Sequence, residues 1–292
     1  MRLHAKARIF LALTVICLIW GSTWLAIRIN VQDMPPLRAA GLRFMVAGLL
    51  LAVVAGRRRL PVRERPGTGY WLGLAMAMVA LPYACVYWGE QHISSGLTAV
   101  LFATYPLFVT LLAQSDRTGE RITLPLMGGL ALGLAGVALL FRDQMGMDGT
   151  QSLTGSILIL LSALSSAVAT VMVKRRLAHL DPFLINLRPM LYGGLILMVV
   201  SLASEGEASW TWTVRGTVAL LYLAIFGSAV AFSIYFWLMR TLPIARLSFI
   251  VYVTPIIALL LGTLVENEPL TWNLILGALL VLSGITMARR AR

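Results

Sequence analysis

The chain has 292 residues, 59% hydrophobic and 12% charged, with a mean hydropathy of +0.85 and a net charge of +12. Soluble folds carry about 25% charged residues, and an apolar excess of this size cannot be hidden in one core, so composition excludes a water-soluble globular protein and requires lipid outside. The basic residues sit in short clusters between apolar runs, a pattern of membrane topology and not of nucleic-acid binding, and Cys17 and Cys85 lie within apolar runs as small hydrophobes.

A hydrocarbon core of about 30 Å needs roughly 20 helical residues. Without strand alternation such runs must be helices, since lipid leaves no partner for open backbone groups. Ten are predicted: about 9–28, 37–56, 70–89, 95–115, 123–141, 153–173, 183–203, 214–238, 244–265 and 271–288. The first follows Arg2, Lys6 and Arg8 as a signal peptide would, but no small-residue cleavage site follows and the run is long enough to span. It is read as a retained helix.

In its stretch LIWGSTWLAIRI, Trp20 and Trp24 flank Gly21, Ser22 and Thr23. Trp20 is twelve residues into the run, too deep for an interfacial anchor, and the two hydroxyls suit a polar cavity or a close helix crossing. The second span carries Arg43. The third sets Tyr83 and Tyr87 on one face, with Glu90 at its outer end. The fourth holds Phe102, Tyr105 and Pro106. The fifth, rich in glycine and nearly free of polar groups, reads as a packing helix. Ser162, Ser165 and Ser166 interrupt the sixth, and Arg188 lies in the seventh. The eighth supplies Phe232 and Phe236, the ninth Tyr252 and Pro255, and the tenth is again glycine-rich.

The chain also repeats itself. LRFMVAG at 42–48 aligns with LRPMLYG at 187–193, TYP at 104–106 with VTP at 253–255, and residues 119–136 with 267–284. Three matches in order at nearly constant offset divide the chain into five-helix halves, 1–145 and 146–292. Five is odd, so the second half enters the membrane inverted. Eighteen Lys and Arg fall on the N-terminal side against four opposite, which predicts cytoplasmic N- and C-termini. The expected fold is therefore all-α and polytopic, with two inverted-topology repeats around a central cavity, an arrangement that places a transporter's substrate near the midplane.

The aromatic and hydroxyl residues named along these spans are the expected substrate-binding set. Buried tyrosine hydroxyls need partners, which water or substrate can supply. Arg43 and Arg188 occupy equivalent repeat positions and serve as gate-side cations or snorkel to the headgroups. Pro106 and Pro255, also equivalent, would kink their helices as hinges. No span holds a carboxylate near its centre, which argues against strict proton/cation exchange. No catalytic or metal-ligating constellation is read, so neither enzyme activity nor a cofactor is expected.

LIWGSTWLAIRI, the GE and NEPLT segments before the last helix of each half, and the glycine-rich fifth and tenth spans resemble EamA-type members of the drug/metabolite transporter superfamily. That resemblance implies ten helices, cytoplasmic termini and a cavity lined by helices 1, 3, 4, 6, 8 and 9. Within the family the chain is most similar to YddG-type exporters of aromatic amino acids. It implies a bacterial inner-membrane exporter of amino acids, with the lipid bilayer and a small molecule as partners, working as a monomer or weak homodimer. The alternative is efflux of aromatic or cationic drugs or other metabolites, using the same rings for cation–π contacts.

Overall fold

Apolar runs this long leave the backbone one way to satisfy its own hydrogen bonds. A computed structural model describes residues 2–59, 66–113, 124–146, 150–206, 211–242, 247 and 249–289, and among them every regular element is helical. Helix α1 (Arg2–Asp33) outruns the predicted 9–28 at both ends, because its polar flanks continue the ladder until Pro35 and Pro36. Helix α2 (Pro36–Arg57) starts with proline in its first turn, where a missing N–H costs nothing. The third span is α3 (Thr68–Ala75), a π-helical stretch Met76–Ala80 and α4 (Leu81–Gly89).

The fourth predicted span is two helices, α5 (Ser95–Phe102) and α6 (Tyr105–Ala113), interrupted at Ala103–Thr104. Pro106 explains the break: it has no N–H to give, and its ring crowds the carbonyl of residue 102. The remaining helices are α7 (Leu124–Gly146), α8 (Thr150–Arg176) and α9 (Pro182–Ser204). Then α10 (Val214–Tyr222), a second π-helical stretch Leu223–Val230, and α11 (Ala231–Thr241) form one span. Last come α12 (Phe249–Glu266) and α13 (Trp272–Arg289). Pro255 lies inside an unbroken α12, so only the first of the two equivalent prolines coincides with a break.

Among the described residues, seven helical stretches are long and apolar enough to cross a membrane: 6–33, 36–57, 68–89, 95–112, 150–176, 182–204 and 214–241. Three shorter apolar helices accompany them, over 127–140, 253–266 and 272–287. Large apolar side chains such as Phe10, Leu134, Val199 and Leu264 are exposed on the outside, as a lipid-facing surface requires. The chain is a polytopic membrane protein.

Lipid is as apolar as leucine, so helices associate by close approach. Two seams show this. Between α2 and α9, a Cβ on Gly194 would stand 2.9 Å from the Met45 backbone N, and one on Gly48 2.6 Å from Leu191. Between α7 and α13, a Cβ on Gly136 would stand 2.8 Å from the Gly277 carbonyl oxygen.

At the distal end, where α1 terminates, polar contacts tie the helices together. The Glu268 carboxylate accepts from the backbone N–H groups of Ser95 (2.7 Å) and Gly96 (3.1 Å) and from the Ser95 hydroxyl (3.0 Å), which closes the N-terminus of α5. Glu205 does the same for α2 through Leu37 N (2.7 Å) and Arg38 N (3.0 Å). Arg28 donates to the Glu90 carbonyl, Thr213 to Asp33, and Arg215 pairs with Glu266. Anions at helix N-termini gain from both the free N–H groups and the helix dipole. Replacing Glu268 by alanine should therefore lower the melting temperature in detergent by several degrees, through loss of about 2–3 kcal/mol of charge-assisted bonding. Gly262→Ala should act similarly, because its Cβ would displace the Glu268 carboxylate. An unchanged melting curve for both variants would refute this role of Glu268.

Candidate functional site

A cavity of about 250 Å³ lies between α1, α4, α5, α6, α8, α11 and α12. Its walls are mostly rings. Trp20 meets Phe232 edge-on at 5.4 Å and Tyr235 at 5.2 Å, Trp24 meets Phe102 at 5.1 Å, and Phe102 stacks on Tyr105 at 6.0 Å. Tyr83 and Phe236 complete the aromatic lining. Both tryptophans of α1 face the cavity.

Polar groups enter at a few points. Thr23, Ser162, Ser166, Thr170 and Thr254 line the cavity. The Ser162 hydroxyl is buried and has no hydrogen-bond partner among the described residues, so a bound molecule is free to take it. The Tyr105 hydroxyl shares hydrogen bonds with Thr170 (2.6 Å) and Tyr235 (3.1 Å), which fixes those two rings against each other.

One cation reaches this wall from α2. Arg43 is 1% exposed; it does not snorkel. Its Nε donates to Ser228 Oγ at 2.8 Å, and Nη1 and Nη2 point at Tyr87 Oη and the Gly227 carbonyl, both at 3.5 Å. Its guanidinium lies 4.8 Å from the centre of the Tyr83 ring and 5.0 Å from that of Phe44. The approach depends on Gly227: a Cβ there would stand 2.9 Å from Thr23 and 3.4 Å from Arg43. Ser228 and Gly227 belong to the second π-helical stretch, and such widened turns recur at functional sites. The first π-helical stretch is held from outside, since Ser165 Oγ donates to the Ala77 carbonyl at 3.0 Å.

Of the residues singled out from sequence, Trp20, Thr23, Trp24, Tyr83, Phe102, Tyr105, Ser162, Ser166, Phe232, Phe236, Arg43 and Pro106 border the cavity. Five stand elsewhere. Ser22 shares a 2.6 Å hydrogen bond with Tyr222, Ser165 supports the π-helical turn, and Tyr87 sits behind Arg43. Arg188 lies over Trp71 at 5.2 Å, away from the cavity, and Pro255 is buried in α12 without joining the lining. The Tyr252 side chain lies outside the described residues.

Sequence reading missed Tyr235, whose repeat counterpart is the aliphatic Val86, so no aromatic pairing marked it. It also took Lys174 only as a topology charge, whereas this exposed lysine borders the cavity where its lining runs down α8 from Ser162 to the basic end of the helix. Glu90, placed by sequence at a span edge, is 0% exposed, with neither carboxylate oxygen hydrogen-bonded among the described residues. It belongs to the distal closure. No acidic side chain is among the described residues lining the cavity.

The comparisons agree with this architecture. The model of the EamA-like transporter family matches residues 7–142 and again 153–290. The chain is 30% identical over 282 residues to the uncharacterized transporter YoaV of Bacillus subtilis, covering 96% of each chain. It is 33% identical over 274 residues to the uncharacterized inner membrane transporter YedA of Escherichia coli, covering 93% of this chain and 87% of that one. A solved crystal structure superposes with a TM-score of 0.72 over 98% of this chain and 99% of the other, at 18% identity, which is a likeness of fold.

Proposed function

Because the chain belongs to the EamA-like transporter family, and so is a multi-pass membrane transporter, we propose that it is a secondary transporter exporting amino acids, aromatic and other mainly neutral ones, by alternating access. The observation that carries this reading is the buried cation Arg43 on the wall of an aromatic cavity that has no acid among its described lining residues. Such a site suits a carboxylate at Arg43 and an apolar side chain among the rings. The unpartnered Ser162 hydroxyl offers a further polar contact. An organic cation would meet Arg43 and Lys174 with no carboxylate among the described lining residues to answer it, which disfavours cationic drug efflux. A sugar nucleotide would require grouped basic residues for its phosphates.

The transport cycle proposed is rocking of two inverted five-helix repeats, 1–145 and 146–292, built from ten spans. Support comes from the two consecutive family matches and from paired packing: α2 seats on α9 and α7 on α13, each pair joining equivalent helices of the two halves. The two π-helical stretches also fall in equivalent spans. The distal closure, with the cavity lining running to exposed Lys174 at the other end, fits a state open toward the basic face. By the charge asymmetry that face is the cytoplasmic side of a bacterial inner membrane.

The test is direct. Proteoliposomes containing the purified protein should exchange radiolabelled phenylalanine or leucine faster than protein-free vesicles, and unlabelled amino acids should compete while quaternary amines should not. Flux of another metabolite with no amino-acid signal would overturn the substrate assignment, and competition by amines alone would favour drug efflux.

A further inference from the structure

On the other side of α8 from the cavity lies a second depression, a groove of about 400 Å³ between Tyr70 of α3, Leu112 of α6 and Val168, Met172, Arg175 and Arg176 of α8. Its floor is apolar and its rim carries two guanidinium groups. Arg176 is positioned: its guanidinium lies 5.3 Å from the centre of the Tyr70 ring, and the Tyr70 hydroxyl donates to the Met172 carbonyl at 2.6 Å. Tyr70 is thereby fixed to α8, and the arginine rests on a fixed ring.

Toward the helix start, Ile157, Leu161, Leu164 and Val168 form an exposed row at helical spacing, 37–51% exposed. That row faces acyl chains. The groove thus stands where a lipid-facing apolar row meets two arginines at the helix end, the level of the headgroups. Guanidinium groups bind phosphate by paired hydrogen bonds, and basic depressions between transmembrane helices suit anionic headgroups. We infer that this groove binds an anionic glycerophospholipid, its phosphate at Arg175 and Arg176 and an acyl chain along the Ile157–Val168 row.

The groove shares its walls with the transport cavity. Val171 borders both, Ser166, Thr170 and Lys174 face the cavity from α8, and α6 lends Thr110 to the cavity and Leu112 to the groove. A lipid seated there pins the short helix α6 to α8 beside the cavity's basic end. The kinetic consequence, faster flux with bound anionic lipid, rests on the transport reading above; the binding itself does not.

The experiment uses the purified full chain without substrate, titrated with phosphatidylglycerol or phosphatidylcholine and read by native mass spectrometry. Phosphatidylglycerol should bind at least tenfold more tightly than phosphatidylcholine. The Arg175→Gln/Arg176→Gln double variant should lose about tenfold, and Tyr70→Phe about threefold with both charges intact. Inorganic phosphate at millimolar concentration should not displace the lipid, since it lacks the acyl chain. Equal binding of the two lipids, full retention by both variants, or displacement by phosphate alone would each overturn the inference. If amino-acid flux is absent but selective lipid binding is present, the substrate reading fails and the lipid site stands.

Discussion

Arg43→Met is expected to weaken amino-acid binding about tenfold to a hundredfold. A hydrogen bond to a charged group contributes roughly 1.5–3 kcal/mol, and each 1.4 kcal/mol is a factor of ten. The readout is quenching of tryptophan fluorescence, since Trp20 and Trp24 line the cavity. The discriminating comparison is an amino acid against its decarboxylated amine. The unmodified protein should prefer the amino acid, and Arg43→Met should remove that preference by weakening the acid form while leaving the amine unchanged or improved. Arg43 also holds Ser228 and packs on Phe44 and Tyr83, so some stability will be lost. Arg43→Lys keeps the charge and should recover part of the preference, though a point charge cannot reproduce the planar stacking. Equal preference in the unmodified protein and Arg43→Met would remove Arg43 from the site.

The largest effect on stability is expected from Gly284→Leu. Its Cβ would stand 2.5 Å from the Gly129 carbonyl oxygen and 2.6 Å from the Gly133 backbone N. Backbone atoms cannot rotate aside, so α13 must move off α7 along the seam that Gly136 and Gly277 also form. Overpacking of this kind costs about 1–3 kcal/mol and more where the backbone is rigid. Through the usual relation of free energy to melting temperature, a loss of about 3 kcal/mol is a fall of roughly 6–10 °C. Gly56→Ala, where an added Cβ meets nothing within 4 Å, is the control and should be neutral. Neither Gly284 nor Gly56 borders the cavity, so substrate affinity of the folded fraction should persist. A variant as stable as the unmodified protein would show that the two helices are not joined at this crossing.

The helical, membrane-spanning character was legible because it follows from apolar run length. The glycine-rich fifth and tenth spans announced their role as packing helices, since a helix with neither polar groups nor bulk has little else to offer. Other features had no local signal. Tyr83 and Tyr87 share a helix face by spacing, yet only Tyr83 borders the cavity, because Arg43 from another helix stands in front of Tyr87. Ser22 looked equivalent to Thr23, but Tyr222, 200 residues away, takes its hydroxyl. Pro106 and Pro255 match in the repeat, while only the first coincides with a break. Glu90 at a span edge gave no hint of full burial, because burial there comes from the neighbouring helices of the distal closure. Such distinctions are tertiary.

The π-helical stretches bear on how the surface of these spans is spelled. Along the third span the exposed apolar residues are Leu72, Met76 and Leu81, and along the eighth Val214, Val218, Leu221 and Phe226. Each series advances by three or four until the widened turn, then by five. An α-helix turning through about 100° per residue would carry the stripe off the lipid face at that point. The extra residue is therefore a phase correction: it keeps the membrane-facing row in line while Tyr83 and Phe232 keep their aim inward. Read with a fixed helical period, either span dissolves into two unrelated faces; read with one added beat, each has a single outside and a single inside.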